Sequence, residues 1–270
     1  MQREEKPDDK WTSDPDFARF AESVRRSFSI DLSLYKENQM RRRLTTLRMK
    51  HGFSSFASYF KAILKDDALR AEFLDRMTIN VSEFWRNPSR WQLLAERFLK
   101  PMTSGANRLQ IWSAACSTGE EPYTIAMLLD SMHALSRSSI LATDIDENVL
   151  TKAQKGIYAP RQVQEVPPSY LAKYFDKVDG HYHVADKLRK AVRFQKHNLL
   201  RDPFAKGYDL IVCRNVVIYF TDEAKRELYH KFVQSLKPGG ILFVGSTEQI
   251  INPAQYGLEA AETFFYRRLP

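Results

Sequence analysis

The chain has 270 residues, 43% of them hydrophobic, too apolar for a disordered polymer and enough for one large core with a smaller companion domain. No run approaches the ~18 uninterrupted apolar residues of a membrane span, and the charged start MQREEKPDDKWTSDPD lacks a secretory apolar segment, so a cytoplasmic protein is expected. A formal charge of +8 favours an acidic partner without choosing among nucleic acid, anionic lipid and acidic protein; two distant cysteines argue against a disulfide framework, and scattered histidines against a metal site.

Residues 1–16 are polar and read as a mobile tail. Phe17, Phe20, Val24 and Phe28 then recur with helical spacing, until the polar stretch IDLS breaks the pattern. A second helix is predicted from Lys36 to His51, with Met40, Leu44 and Leu47 on one stripe and Gly52 as its stop. Six Lys and Arg against one Glu within those sixteen residues make it a cationic surface, with Arg41, Arg42, Arg43 and Arg48 flanking the stripe. A merely solvated basic helix is the plainer alternative. The segments SSFASYFKAILKD, ALRAEFLDRMT and NPSRWQLLAERFLKPM continue the helical texture, Pro88 suiting a first turn and Pro101 following the last helix's end. Residues 17–88 are therefore predicted as an all-helical domain.

Residues 89–270 change character after SGANR. The apolar runs LQIWSAA, ILATDI, YDLIVCRNVVIYF and GILFVGS are bounded by turn residues and separated by helical segments, which predicts an α/β domain with a doubly wound, mostly parallel sheet. Between about 174 and 196, alternation around the pair Asp179–Gly180 predicts a small antiparallel β insertion.

The first strand runs into CSTGEEPYTIAMLL, a tight turn opening a helix, where a nucleotide or nucleoside cofactor sits in such folds. Ala115, Ser117 and Gly119 are small and alternate, so backbone can approach a ligand, but no phosphate-binding Lys follows. Glu120 and Glu121 at the helix start disfavour phosphates and suit a cofactor with an α-amino group and a sulfonium, the charge pattern of S-adenosylmethionine. Ordinary acidic charging of a helix N-terminus competes with that reading. Asp144 closes the second strand, 25 residues beyond Gly119, where a carboxylate accepts ribose hydroxyls; Asp146 is a candidate helix cap. A nicotinamide fold would share Asp144 but keep the glycine fingerprint this turn lacks.

Four motifs in order, MTINVSEFWRN, WSAACSTGEEPYTIA, ATDIDENVLTKAQKGIY, and HNLL followed by YDLIVCRNVVIYF, make the chain from about Phe17 to Leu269 resemble the chemotaxis receptor glutamate methyltransferases, the CheR family. The resemblance implies an N-terminal helical receptor-recognition domain and a Rossmann-like class I methyltransferase domain with an antiparallel insertion. It implies methyl transfer from S-adenosylmethionine to glutamate carboxylates of bacterial chemoreceptors, leaving S-adenosylhomocysteine. By the matching motifs, Asn80, Ser82 and Arg86 reach over the cofactor, Ala115 lies in its turn, Glu121 binds its methionine portion, Asp144 holds the ribose, and Asn198 and Leu199 frame the adenine. Arg214, Asn215 and Tyr219 line the transfer site, with Arg86 and Tyr219 orienting the substrate carboxylate; Tyr219 and Phe220 as plain core aromatics compete. The family's first motif commonly reads N-x-T-x-F-F-R, and here Ser82 replaces Thr and Trp85 the second Phe.

A carboxylate acceptor needs no general base, because glutamate with a reference pKa near 4.3 is already an oxyanion. The Arg41, Arg42, Arg43 and Arg48 helix would dock acidic receptor helices. Some family members grip a receptor C-terminal peptide with the insertion and others do without; the short VDGHYHVADK points to the independent kind, acting as a monomer. The alternatives are a nucleic-acid methyltransferase, disfavoured because CRNVVIYF lacks the Asp/Asn-Pro-Pro-Tyr/Phe motif of exocyclic-amine enzymes, and a noncatalytic receptor adaptor.

Overall fold

The computed structural model describes residues 14–78, 82–105 and 107–270. They form two compact units: residues 14–78 with Tyr219–Arg226, and residues 82–218 with 227–270. The division therefore falls between 78 and 82 rather than at 88, because the segment from Phe84 onward packs with the sheet unit: Phe84 meets Tyr158 and Phe175 edge-on. Most of the predicted tail lies outside the described residues, but Pro15 and Asp16 are helical. The cause is Asp14, whose carboxylate accepts from the Asp16 and Phe17 amides and caps the helix ahead of a proline at its first position.

The helical unit holds α1 (Pro15–Phe28), α2 (Glu37–Lys50), α3 (Phe56–Lys65) and α4 (Asp67–Thr78). Each buries a stripe at three- and four-residue spacing: Phe17, Phe20 and Val24; Met40, Leu44 and Leu47; Phe56, Tyr59 and Ile63; Leu69, Phe73 and Met77. Rings of Phe17, Phe20, Phe56 and Phe73 meet at 4.9–5.9 Å. Asp16 ties α1 to α3 by accepting the Phe56 and Ala57 amides, donors that a helix start leaves unpaired. The segment Tyr219–Arg226 belongs here: Phe220 bridges Tyr35 antiparallel, and the Lys36 amide donates to the Tyr219 carbonyl at 2.8 Å.

In the second unit α5 (Pro88–Leu93) passes through a π-helical stretch, Leu94–Leu99, into α6 (Lys100–Thr103). Pro101 thus lies inside a helical run rather than beyond its end. The change of register makes it an early residue of a new α segment, where its missing N–H is not needed. There follow β1 (Leu109–Ala114), α7 (Glu120–Ser131), β2 (Ser138–Asp144), α8 (Glu147–Lys155), β3 (Ile157–Tyr158), α9 (Pro168–Tyr174), β4 (Phe175–Val178), β5 (His181–Val184), α10 (Asp186–Ala191), β6 (Val192–Lys196), β7 (Tyr208–Cys213), α11 (Asp222–Ser235, of which the residues from Glu227 on belong to this unit), β8 (Leu236–Val244), β9 (Leu258–Glu262) and β10 (Phe265–Arg268). The main sheet runs β6-β2-β1-β7-β8-β10-β9, parallel from β6 to β8 and antiparallel thereafter.

Strands β1 and β7 are almost continuously buried because both sheet faces are covered, which is why their sequences read as unbroken apolar runs. On one face Trp112 packs against Phe204, Tyr208 and Phe232; elsewhere Phe243 stacks on Phe265, which stacks on Phe98. Each such side chain, fully buried, contributes roughly 1.5–3 kcal/mol.

The antiparallel insertion is smaller than 174–196 and reaches outside it. Asp179 and Gly180, both at positive φ, close the β4–β5 hairpin as a two-residue turn. Its third strand is β3, two residues long and too short to leave a periodic signal. Val192–Lys196 instead extends the main sheet, parallel to β2. Among the described residues no helix is long and apolar enough to cross a membrane, and both cysteines are free and buried.

Candidate active site

Four parallel strands end side by side in the order β6, β2, β1, β7, and the order of winding reverses at β1: the chain adds β2 and β6 on one side of it, then β7 and β8 on the other. Such a switch point opens a crevice beyond the strands' carboxyl ends. The turn after β1 carries Ala115 at φ 61°, Ser117 at φ 48° and Gly119 at φ 94°, so two residues with side chains hold a left-handed conformation that usually selects glycine. Gly119 has no such latitude: a Cβ there would lie 2.8 Å from Ala153 Cβ and 3.1 Å from the Tyr158 hydroxyl. Trp85, Asn87 and Asn215 are also at positive φ. Backbone held in sparsely populated regions gathers at functional sites.

The two glutamates that open α7 have separate surroundings. Glu120 is fully buried and accepts from the Thr118 hydroxyl, the Gln162 amide at 2.7 Å and the Ser82 hydroxyl. These partners all come from within the protein. Glu121 faces the crevice: Oε1 accepts from Ser113 Oγ at 2.8 Å, and Oε2 lies 3.9 Å from Arg214 of the loop after β7. Burial pushes its carboxyl up to about 7, with the Arg214 charge and the Ser113 hydroxyl opposing.

Asp144 ends β2. Its Oδ2 accepts the Ser117 amide at 2.9 Å and its Oδ1 the Asp146 amide at 3.1 Å, while burial raises it to about 6. Asp146 caps α8 through the Asn148 amide, as its position predicted. The segment after β6 joins the same corner, His197 N donating to Asp144 O. There Asn198 spends its Oδ1 on the Leu200 amide, and buried Leu199 offers its carbonyl to Lys231.

On the opposite wall Arg214 is buried over Trp91 and Phe243, its Nη2 donating to the Arg86 carbonyl at 2.9 Å and to Asn87 Oδ1 at 3.0 Å. Its Nε is buried without a hydrogen-bond partner among the described residues. The Arg86 charge lies close enough to work with burial in lowering the Arg214 guanidinium.

Asn215 is fixed from a direction that sequence reasoning missed. Glu248, buried after β8, accepts the amides of Asn215 at 2.6 Å, Val217 at 2.8 Å, Ile218 at 3.3 Å and Gly245 at 2.8 Å. The signal in the sequence is an ionisable residue two positions after the apolar run GILFVGS. Gly245 is required beside it, since a Cβ would collide with the Glu248 carboxylate and lie 2.8 Å from Asn215 N.

Of the predicted site residues, the structure gathers Arg86, Ala115, Glu121, Asp144, Asn198, Leu199, Arg214 and Asn215 around the crevice. Asn80 lies outside the described residues. Tyr219 belongs to the helical unit, where Arg43 lies 5.6 Å over its ring, and Phe220 is a buried core aromatic against Tyr35.

The residues fit S-adenosylmethionine. Two buried carboxylates, Glu121 at the start of α7 and Asp144 at the end of β2, both with raised proton affinity, suit hydroxyl and ammonium donors, and the left-handed turn after β1 brings backbone to the ligand.

The family description "CheR methyltransferase, SAM binding domain" matches residues 80–264, and "CheR methyltransferase, all-alpha domain" matches residues 15–78. A chemotaxis protein methyltransferase of Listeria monocytogenes is 44% identical over 252 residues, covering 93% of this chain and 96% of the relative. The proteins of that name from Borreliella burgdorferi and Escherichia coli are each 35% identical, over 87% of this chain and 88% and 85% of theirs. With a crevice built for S-adenosylmethionine and matches across both units, the chain belongs to the CheR methyltransferase family.

Proposed function

We propose that the enzyme transfers the methyl group of S-adenosylmethionine to glutamate side-chain carboxylates of bacterial chemoreceptors, working in the cytoplasm as a monomer without a receptor C-terminal tether. The observation that carries this reading is the opposed charge of the crevice walls: Glu121 and Asp144 on one side, Arg214 with Arg86 on the other. An acidic wall suits the cofactor, and a cationic wall suits an acceptor that is itself an anion.

When bound, S-adenosylmethionine supplies an electrophilic methyl on a sulfonium. Asp144 accepts from the ribose hydroxyls with the lone pairs that Ser117 and Asp146 leave free. Glu121 receives the α-ammonium, held by Ser113. Asn198 and Leu199 border the adenine. Arg214 Nε, buried and unpartnered among the described residues, donates to the incoming carboxylate, and Arg86 turns the same group in line. No side chain has to remove a proton, because the acceptor carries none. Arg86→Ala should lower kcat by roughly 10²-fold, the effect of losing one oriented donor, with cofactor affinity little changed; normal turnover in a single-turnover assay would remove Arg86 from this role.

Receptor docking in this reading uses α2, but the four flanking arginines are not equivalent. Arg41 pairs with Asp14 at 3.0 Å, Arg43 donates to the carbonyls of Arg76 and Met77, and Arg48 donates to Ser54 O and lies over Phe56. Reversing these charges disturbs the helical unit itself. Arg42 is exposed and makes no side-chain hydrogen bond or ion pair among the described residues, so it tests docking alone. Arg42→Glu should reduce kcat/KM for receptor about three- to tenfold at low ionic strength and less at high salt. A salt-independent or absent effect would argue against docking on this face.

The function itself is tested by incubating the protein with radiolabelled S-adenosylmethionine and chemoreceptor membranes, then treating with mild base. Label on the receptor released as methanol is the expected result. Cofactor binding without such label would reject receptor glutamates as the acceptor.

A further inference from the structure

At the amino ends of the central strands, where β2 and β6 begin, a groove of about 1060 Å³ opens on the side of the sheet unit away from the crevice. Arg108, Lys187, Lys190 and Arg193 line it, from two separate stretches of chain. Among the described residues Asp130 is the one carboxylate there, and it is already engaged: Lys187 lies 2.7 Å away, Lys173 3.4 Å, and the Tyr174 hydroxyl donates to it at 2.8 Å. Arg108, Lys190 and Arg193 are exposed and make no side-chain hydrogen bond or ion pair among the described residues. Lys190 feels the Asp186 carboxylate only at a distance, so these like charges around one concavity repel each other, and an anion placed among them offsets that repulsion.

Ser136 and Ser139 add exposed hydroxyl donors at the rim, whereas among the described residues no Phe, Tyr or Trp lines the groove. A ligand is therefore recognised by its charge and acceptor oxygens rather than by stacking. Glu121 and Asp144 belong to the opposite, carboxyl ends of the strands, so the groove and the cofactor crevice do not share residues. We propose that this groove is a binding site for a compact, multiply charged phosphate group, separate from the methyl-transfer site. The chemistry is common to a free polyphosphate and to the phosphates of a nucleotide.

The test is calorimetric titration of the full chain with inorganic triphosphate at 150 mM salt, where diffuse attraction to the +8 chain is screened. Saturable binding at one site per chain is expected, weakened at least about tenfold in the triple variant Arg108→Gln, Lys190→Gln, Arg193→Gln. Unchanged S-adenosylmethionine affinity and melting temperature in that variant show that the fold and the crevice are intact. A parallel titration with ATP separates the sources: affinity equal to or below that of triphosphate assigns the free polyphosphate, and tighter binding assigns the nucleotide. No saturable binding by the unaltered protein, or equal affinity in the triple variant, would overturn the proposal.

Discussion

Glu248→Ala should lower the unfolding free energy by about 4 kcal/mol or more and abolish methyl transfer. The carboxylate accepts four backbone amides, those of Asn215, Val217, Ile218 and Gly245, and a buried donor stripped of its acceptor costs roughly 1–3 kcal/mol. The loop so released is the one that carries Arg214 into the crevice. Glu248→Gln should be milder, because the amide keeps one acceptor oxygen and removes a charge that burial opposes; burial holds the Glu248 carboxyl above its usual range despite the amides that favour its ionised form. Chemical denaturation gives the stability and single-turnover methylation the activity. An alanine variant as stable and active as the unaltered protein would show that the loop holds its place without this clamp.

Cofactor affinity should rise with pH between 5 and 8, on the order of a thousandfold over that range if both carboxyls must be ionised. Glu121 is raised to about 7, chiefly by burial, and Asp144 to about 6, again by burial. With folded-state values above the ordinary ones, the protonated carboxyls are the better accommodated. The stability they contribute to the cofactor-free protein is full below the ordinary carboxylate range and is lost as pH rises through about 6 and about 7. An α-ammonium and two ribose hydroxyls favour the ionised forms instead, so binding near pH 6 releases protons. Calorimetry in two buffers of different ionisation enthalpy measures that release directly. Glu121→Gln should flatten the upper part of the profile and bind more weakly at pH 8; a flat profile in the unaltered protein would exclude both carboxyls from the cofactor site.

Local pattern determined a great deal of this protein. Phe17, Phe20 and Val24, or Met40, Leu44 and Leu47, declare a buried helix face because neighbours on that face recur every three or four residues wherever the helix lies. LQIWSAA and YDLIVC read as strands covered on both faces because their burial is continuous. The position of Glu121 at the start of the helix after the first strand, and of Asp144 at the end of the second strand, also follows from local order.

Tertiary structure alone decided which groups meet. Glu248 and its amides at Asn215, Val217 and Ile218 are about thirty residues apart, and backbone donors leave no mark in a sequence. Adjacent glutamates 120 and 121 look alike, yet one is turned inward to Thr118, Gln162 and Ser82 and the other toward Arg214. The charge of α2 was plain, but that Arg41, Arg43 and Arg48 are held within the helical unit while Arg42 stays exposed depends on Asp14, Met77 and Ser54, brought in by packing. Composition fixes how many charges and apolar faces a chain carries; the pairing of buried charges with distant partners is settled when the topology brings them together, because an unpaired buried charge costs far more than an exposed one.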